Sequence, residues 1–410
     1  MQSSEVKFTQ GIYGFQVERT SMTKIESRRV VEITIRRKEF HCPHCLSQCV
    51  SIYPCPAREI KGMPVGRAEV RLVVTPHRLY CPDCGRMDYE RFEFLRTPES
   101  RITRQMERTI VEIRREMSIK AVSDHYNVPW ETVKNVEKEM LGRLYARVLL
   151  KDVRHIGIDE IYLFKKAGKG EKYVTVVRDL ETGAVLEVAR GKGVAALKSF
   201  ERRIRKFKRK IKSVCMDMSN SYASWVREHL PKAQIIFDHF HVIKAMNEKL
   251  DAIRRSVIRE LDDEARKSLK NMRMYFLKNR EDLDADSLAA LDKARESFQP
   301  LSEAYLLKER LRGIYANAAD ELEAMVMLEE WIRMAEQTEV YQLRSMAKCI
   351  RNHMEGILAF WVYDRATNAK SEGFNNKIRW LVSQAYGYKD YEYLRLKIFH
   401  LPSTNIRKAI

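Results

Sequence analysis

Apolar positions change their spacing several times along this chain, and each change marks an element. Residues 29–40 (RVVEITIRRKEF) and 68–80 (AEVRLVVTPHRLY) alternate and are rich in β-branched side chains, so both predict strands. Residues 101–147 carry helical spacing, interrupted at Pro129 and resumed over 130–147. From Arg154 the pattern shortens again. HIGIDEIYLF, KYVTVVRDL and AVLEVAR predict three strands separated by Gly- and Lys-rich turns. VAALKSFERRIRKF then predicts a helix, IKSVCMD a strand, SYASWVREHL a helix and AQIIFD a fifth strand. After His239 strand signal all but vanishes. Residues 240–366 predict long helices with charged faces, residues 368–386 one more helix, and the remaining tail is short and basic.

Composition narrows what such a chain meets. Its 410 residues suggest two to four domains. Lys and Arg number 75 against 56 Asp and Glu, a net charge of +19. That excess points to a polyanion, nucleic acid first and an anionic membrane surface second, with solvated charged faces as the plain alternative. No stretch reaches the roughly 18 apolar residues of a membrane span, and MQSSEVKFTQ lacks the build of a signal peptide. The expected location is therefore the cytoplasm, with no membrane partner. In that reducing setting, six cysteines of eight between positions 42 and 84 argue for metal rather than disulfides.

Cys42-Pro-His-Cys45 and Cys81-Pro-Asp-Cys84 each offer two thiolates from one tight turn, the supply a tetrahedral Zn2+ needs. Cys49, Cys55, His41 and His44 stand near enough in sequence to replace one ligand. Four thiolates leave no open position, so the expected role is structural. Further on, RQMERTIVEIRR suits a first helix, Ser118 caps IKAVSDHY, and Asn127-Val128-Pro129 turns into WETVKNVEKEML. That is the layout of a helix-turn-helix, with Thr132, Lys134, Asn135 and Lys138 expected to face a major groove of double-stranded DNA. Residues 202–212 (RRIRKFKRKIK) hold eight basic residues in eleven, a phosphate-contacting or simply solvated face.

Three strands, helix, strand, helix, strand is the order of a ribonuclease-H-like α/β domain. In that sheet the first and fourth strands are neighbours, which brings Asp159 of Ile156–Glu160 beside Asp217 of Val214–Asp217. Glu160 competes with Asp159, and Asp217 doubles as a possible cap for the helix after it. A third acid must come from a helix against the sheet, and Glu372 is the best placed. Carboxylates so grouped suit Mg2+ or Mn2+, which activates water or a DNA 3′-hydroxyl. The run Asp262-Asp263-Glu264 is set aside, since adjacent acids on a helix point apart.

GIDE, CMDMSNSY, FDHFHVIKAMN and TNAKSEGFNNKIRWLVSQAYGY together resemble the ISL-three (ISL3) family of insertion-sequence transposases. The cysteine segment and helix-turn-helix match that family's N-terminal layout. The resemblance implies a DDE triad at Asp159, Asp217 and Glu372, with a helical insertion between the second and third acids. Asp238-His239-Phe240-His241 is similar to the Asp/Cys-x-x-His signature of transposases with such insertions, so His241 is either an active-site residue or a satisfied buried histidine. The expected fold is multidomain α/β. It comprises a zinc-binding β module (1–98), a helix-turn-helix (99–150), a ribonuclease-H-like core (151–245 and 365–410) and an all-α insertion (246–364). The expected function is DNA transposase, active on DNA as a homodimer. A stand-alone nuclease or a DNA-binding regulator are the alternatives.

Overall fold

The computed structural model describes residues 3–25, 28–164, 172–363, 369–385 and 387–402, with the side chains of 369–372 outside that description. The chain divides into two compact units, Met1–Arg143 and Leu144–Ile410.

The first unit runs α1 (Ser3–Gln10), β1 (Phe15–Ile25), β2 (Arg28–Arg37), β3 (Ser51–Pro54), β4 (Arg58–Val65), β5 (Ala68–Val74), β6 (His77–Cys81) and β7 (Arg86–Tyr89). Helices α2 (Arg104–Ile113), α3 (Ile119–Tyr126) and α4 (Trp130–Leu144) follow. Four strands make one sheet in the order β1-β2-β5-β4, and β3-β6-β7 make a second. The strand expected over 68–80 is two strands in two sheets. Proline has no N–H to give a ladder, so the chain breaks at Thr75-Pro76 and crosses over. On β5, Val70, Leu72 and Val74 point inward to Ile33, Ile35 and Ile60, beneath the rings of Phe15, Phe92 and Phe94. The helices are fastened to this sheet. Lys61 bonds through its backbone to Arg101 (2.8 Å) and Thr103 (3.0 Å), and its Nζ donates to the Asn127 carbonyl (2.7 Å). The Asn127 amide in turn donates to Glu69 (3.0 Å).

The second unit opens with β8 (His155–Tyr162), β9 (Tyr173–Asp179), β10 (Val185–Arg190), α5 (Lys198–Ile204), β11 (Ser213–Met216), α6 (Asn220–His229) and β12 (Gln234–Phe237). These strands form one sheet, β10-β9-β8-β11-β12, in which β8 is antiparallel to β9 and parallel to β11. β9 and β11 are buried on both faces, which is why they read as unbroken apolar runs. Helices follow: α7 (His239–Arg259), α8 (Asp263–Asn271), α9 (Arg273–Leu277), α10 (Ala285–Ser297), α11 (Gln299–Asn317), α12 (Glu321–Gln337), α13 (Tyr341–Asn352), α14 (Met354–Val362), α15 (Ala369–Gln384) and α16 (Tyr391–His400). Among the described residues no strand follows β12.

One apolar core runs from Ile156, Ile158 and Val214 in the sheet, through Val242, Met246 and Leu250 of α7, to Leu311, Trp331 and Met346. α14 then returns to the sheet. A Cβ on Gly356 would lie 2.5 Å from the buried Phe237 ring, so only glycine lets this helix approach β12. The C-terminal segment is not the short basic tail expected. α16 is a packed helix, buried at Tyr393, Leu394 and Leu396 through His400. The Tyr145 hydroxyl and His400 Nδ1 share a buried 2.8 Å hydrogen bond.

Candidate active site

β6 and β7 form a hairpin whose turn carries Cys81 and Cys84, and the turn with Cys42 and Cys45 follows β2. The four sulfurs lie within 4.8 Å of one another. Cys42 and Cys84 are 3.6 Å apart, and Cys45 and Cys81 3.5 Å. Those separations are far too long for a disulfide. They are close to the edge of about 3.8 Å that four Zn–S bonds of about 2.3 Å would set around one centre. The Cys45 backbone N–H, against burial, pulls the Cys42 thiol down, while the neighbouring sulfurs push Cys45 and Cys84 up, so the cluster favours charge on Cys42 first. Cys49 and Cys55 stand outside the cluster. His44 Nε2 pairs instead with Asp88 (3.1 Å) and His41 Nε2 with Gln48 (3.3 Å).

In the three-helix segment, Ser118 Oγ accepts from Ala121 N (3.1 Å), capping α3 as expected. Asn127 takes a left-handed φ of 52° at the turn, a conformation asparagine tolerates best among non-glycine residues. Val122, Val128, Val133 and Val136 close the interior, and buried Arg114 donates to Glu137 of α4 (2.9 Å). On α4, Asn135 is exposed, while Thr132, Lys134 and Lys138 are half-buried.

The carboxylates lie on two neighbouring strands, Asp159 within β8 and Asp217 just after β11. Cys215 of β11 is paired with Gly157 of β8. Two positions further along each strand come Asp217 and Asp159, both half-buried. Asp217 Oδ1 is buried and accepts no hydrogen bond. Burial pushes this carboxyl above its ordinary range. His241 pulls it down, Glu160 pushes it up, the Ser219 backbone N–H pulls it down, and Asp159 pushes it up. An unsatisfied carboxylate oxygen, buried within electrostatic reach of two further acids, is a hard-oxygen donor of the kind a divalent cation would satisfy.

The neighbours are engaged differently. Glu160 Oε1 accepts from the Tyr222 hydroxyl (2.5 Å) and the Gly193 N–H (2.8 Å). Asp159 Oδ1 accepts from the Glu160 N–H (2.8 Å), and its Oδ2 accepts from Asn375 Nδ2 of α15 (2.5 Å). The Arg178 guanidinium lies over the Phe374 ring, 4.2 Å from its centroid. Burial lowers its pKa to about 10 while Asp159 and Asp179 raise it, so it keeps its charge at neutral pH. Asp238 is a buried helix cap that accepts from Phe240 N (3.1 Å). His241 is half-buried in the first turn of α7. Asp262 caps α8, its Oδ1 accepting from Ala265 N (2.9 Å). Glu372, expected as the third acid, lies on α15 with its side chain outside the described residues. Sequence reading missed Asn375, Phe374, Arg178 and Tyr222.

Residues 156–398 match a family of transposases, and residues 98–139 match the helix-turn-helix domain of transposase family ISL3. The transposase for insertion sequence element IS1001 of Bordetella parapertussis is 29% identical over 398 residues, covering 95% of each chain. The transposase for insertion sequence element IS1557 of Mycobacterium tuberculosis is 27% identical over 299 residues, 66% of this chain and 65% of that one. Among solved structures, a Drosophila P element transposase strand transfer complex covers 74% of this chain and 92% of its own, at a TM-score of 0.40 and 10% identity. That likeness is too low to bear on the fold. The class is that of insertion-sequence transposases. Within it, the chain belongs to the ISL3 family.

Proposed function

We propose that this transposase binds the terminal inverted repeats of its element, cuts the phosphodiester bonds at both ends, and joins the freed 3′-hydroxyls to target DNA. The observation that carries the reading is Asp217. Its oxygen is buried without a donor, within the electrostatic reach of Asp159, Glu160 and His241. Asp159, Asp217 and Glu372 are the groups that would hold Mg2+ or Mn2+, and bound ions would activate the attacking oxygen and stabilise the leaving one. Glu372 is three positions before Asn375 on α15. Asn375 and the Glu160 N–H fix both oxygens of Asp159, which orients that carboxylate before DNA arrives. His241 brings an imidazole ring within electrostatic reach of Asp217.

The strand order β10-β9-β8-β11-β12 supports a ribonuclease-H-like core, with the helices between β12 and α14 inserted in it. Cys42, Cys45, Cys81 and Cys84 would hold a structural Zn2+, and Thr132, Lys134, Asn135 and Lys138 would meet a major groove. Two ends must be held together, so we expect at least a homodimer on DNA. A monomer by light scattering with both ends bound would refute that part.

The test is a cleavage and strand-transfer assay with labelled element ends, a target plasmid and Mg2+ or Mn2+. The parent should cut and join, and Asp217→Asn should do neither while binding the ends as before. Binding without metal-dependent cutting would favour a regulator, and cutting without joining a nuclease. Cutting that survives Asp217→Asn would place the active site elsewhere.

A further inference from the structure

β8, β11 and β12 are parallel, so their C-terminal ends lie at one edge of the sheet and their N-terminal ends at the other. Acids follow the strands: Asp159 late in β8, Asp217 after β11 and Asp238 after β12. Bases precede them. Lys151 stands before β8, Lys208, Arg209, Lys210 and Lys212 before β11, and Lys232 before β12, all of them exposed.

Backbone bonds hold these three entries side by side. Lys212 N donates to the Arg154 carbonyl (2.7 Å) and Gln234 N to the Lys212 carbonyl (2.8 Å). Lys210 Nζ reaches the Lys151 carbonyl (3.4 Å). With strands about 4.8 Å apart, the entries span only about 10 Å. Acids at this edge are fewer than the bases. Exposed Asp152 follows Lys151, Glu355 accepts from Gln234 Nε2 (3.3 Å), Glu181 lies 3.7 Å from His155 Nε2, and buried Asp179 is bound by Thr182 in its own turn. A density of cations this high on one short edge is self-repulsive unless an anion covers it.

We propose that this basic edge is a second DNA-binding surface, which grips the phosphate backbone of a duplex away from the bonds being cut. The partner's identity rests on the transposase reading, and the site itself on charge and geometry. Lys212 and Asp217 are separated by one strand, roughly 17 Å at about 3.3 Å per residue. That is close to the width of a duplex, so DNA gripped here is a different stretch from DNA at the carboxylates. Phosphate contacts carry no sequence information, so the surface suits flanking or target DNA of any sequence.

The experiment uses the full chain with Lys208, Arg209, Lys210 and Lys212 all replaced by Gln. Binding to an element-end duplex and to an unrelated duplex is measured by anisotropy from 50 to 200 mM salt. If all four contact phosphate, the slope of log K against log salt should shallow by about 3 to 4. Both duplexes should weaken by the same factor, and cleavage of a short pre-bound end should be retained. Circular dichroism and melting should match the parent, since all four side chains are exposed. A slope changed by less than about 1, in a variant that still folds, overturns the proposal and leaves the transposase reading intact. A parent that binds neither duplex overturns both.

Discussion

Asp217 is a liability to the folded chain until something positive meets it. Its carboxyl titrates above the value of an unfolded chain, chiefly because it is buried. The folded state therefore holds that proton more tightly, and between the two values stability falls as pH rises. The cost is complete once the pH exceeds the raised value. Asp217→Asn should therefore melt higher than the parent in chelator at pH 7, by about 2–4 °C for each kcal/mol relieved in a unit of this size. The gap should close as pH falls through the ordinary carboxyl range, and Mn2+ should raise the melting point of the parent alone. A variant that melts lower in chelator at pH 7 would mean the oxygen is satisfied after all. Asn375 makes a second test. Its bond to Asp159 is one to a charged group, worth roughly 1.5–3 kcal/mol, so Asn375→Ala should slow cleavage about tenfold or more and leave end binding unchanged. Unaltered cleavage would show that Asp159 needs no such support. This asparagine was not legible from spacing alone. The SEGFNN run flags an acid, but only the approach of α15 to β8 shows that the amide three positions on meets Asp159.

Among elements, legibility followed burial. β9, β11 and β12 are largely buried apolar runs and β8 is apolar at Ile156, Ile158 and Ile161, so all four were readable, with Asp159 inside β8 and Asp217 just past β11. β1 (FQVERTSMTKI) has one buried position followed by an exposed run, and β3 (SIYP) is exposed throughout. Neither has a core face, so neither leaves an alternating signal. α16 was hidden for the opposite reason, because buried Lys397 and His400 look like surface residues in a list of letters. The return of α14 to the sheet depends on Gly356. Gly356→Val would drive a side chain into the Phe237 ring, which has no room to retreat. The expected cost is about 1–3 kcal/mol, seen as a lower melting point for Leu144–Ile410. Melting like the parent would mean that α14 and β12 can part cheaply.

The whole molecule sets two chemistries in separate units, sulfur in one and carboxylate in the other. If the four clustered sulfurs share one Zn2+, Cys42→Ser or Cys84→Ser should lose it and unfold the small sheet, as metal analysis and circular dichroism would report. Cys49→Ser and Cys55→Ser should keep one zinc per chain. Equal zinc loss from all four variants would refute the ligand set. The second unit closes over great lengths of chain. Asp159 meets Asn375 across 216 positions, and Tyr145 meets His400 across 255. The first unit is complete at residue 143, while Asp159 must wait for Asn375, made near the end. During synthesis, then, the helix-turn-helix can fold long before Asp159 and Asn375 can meet. If the first unit binds the element's ends as proposed, a chain cut short in between would occupy those ends without cutting them, so incomplete translation would itself restrain the element.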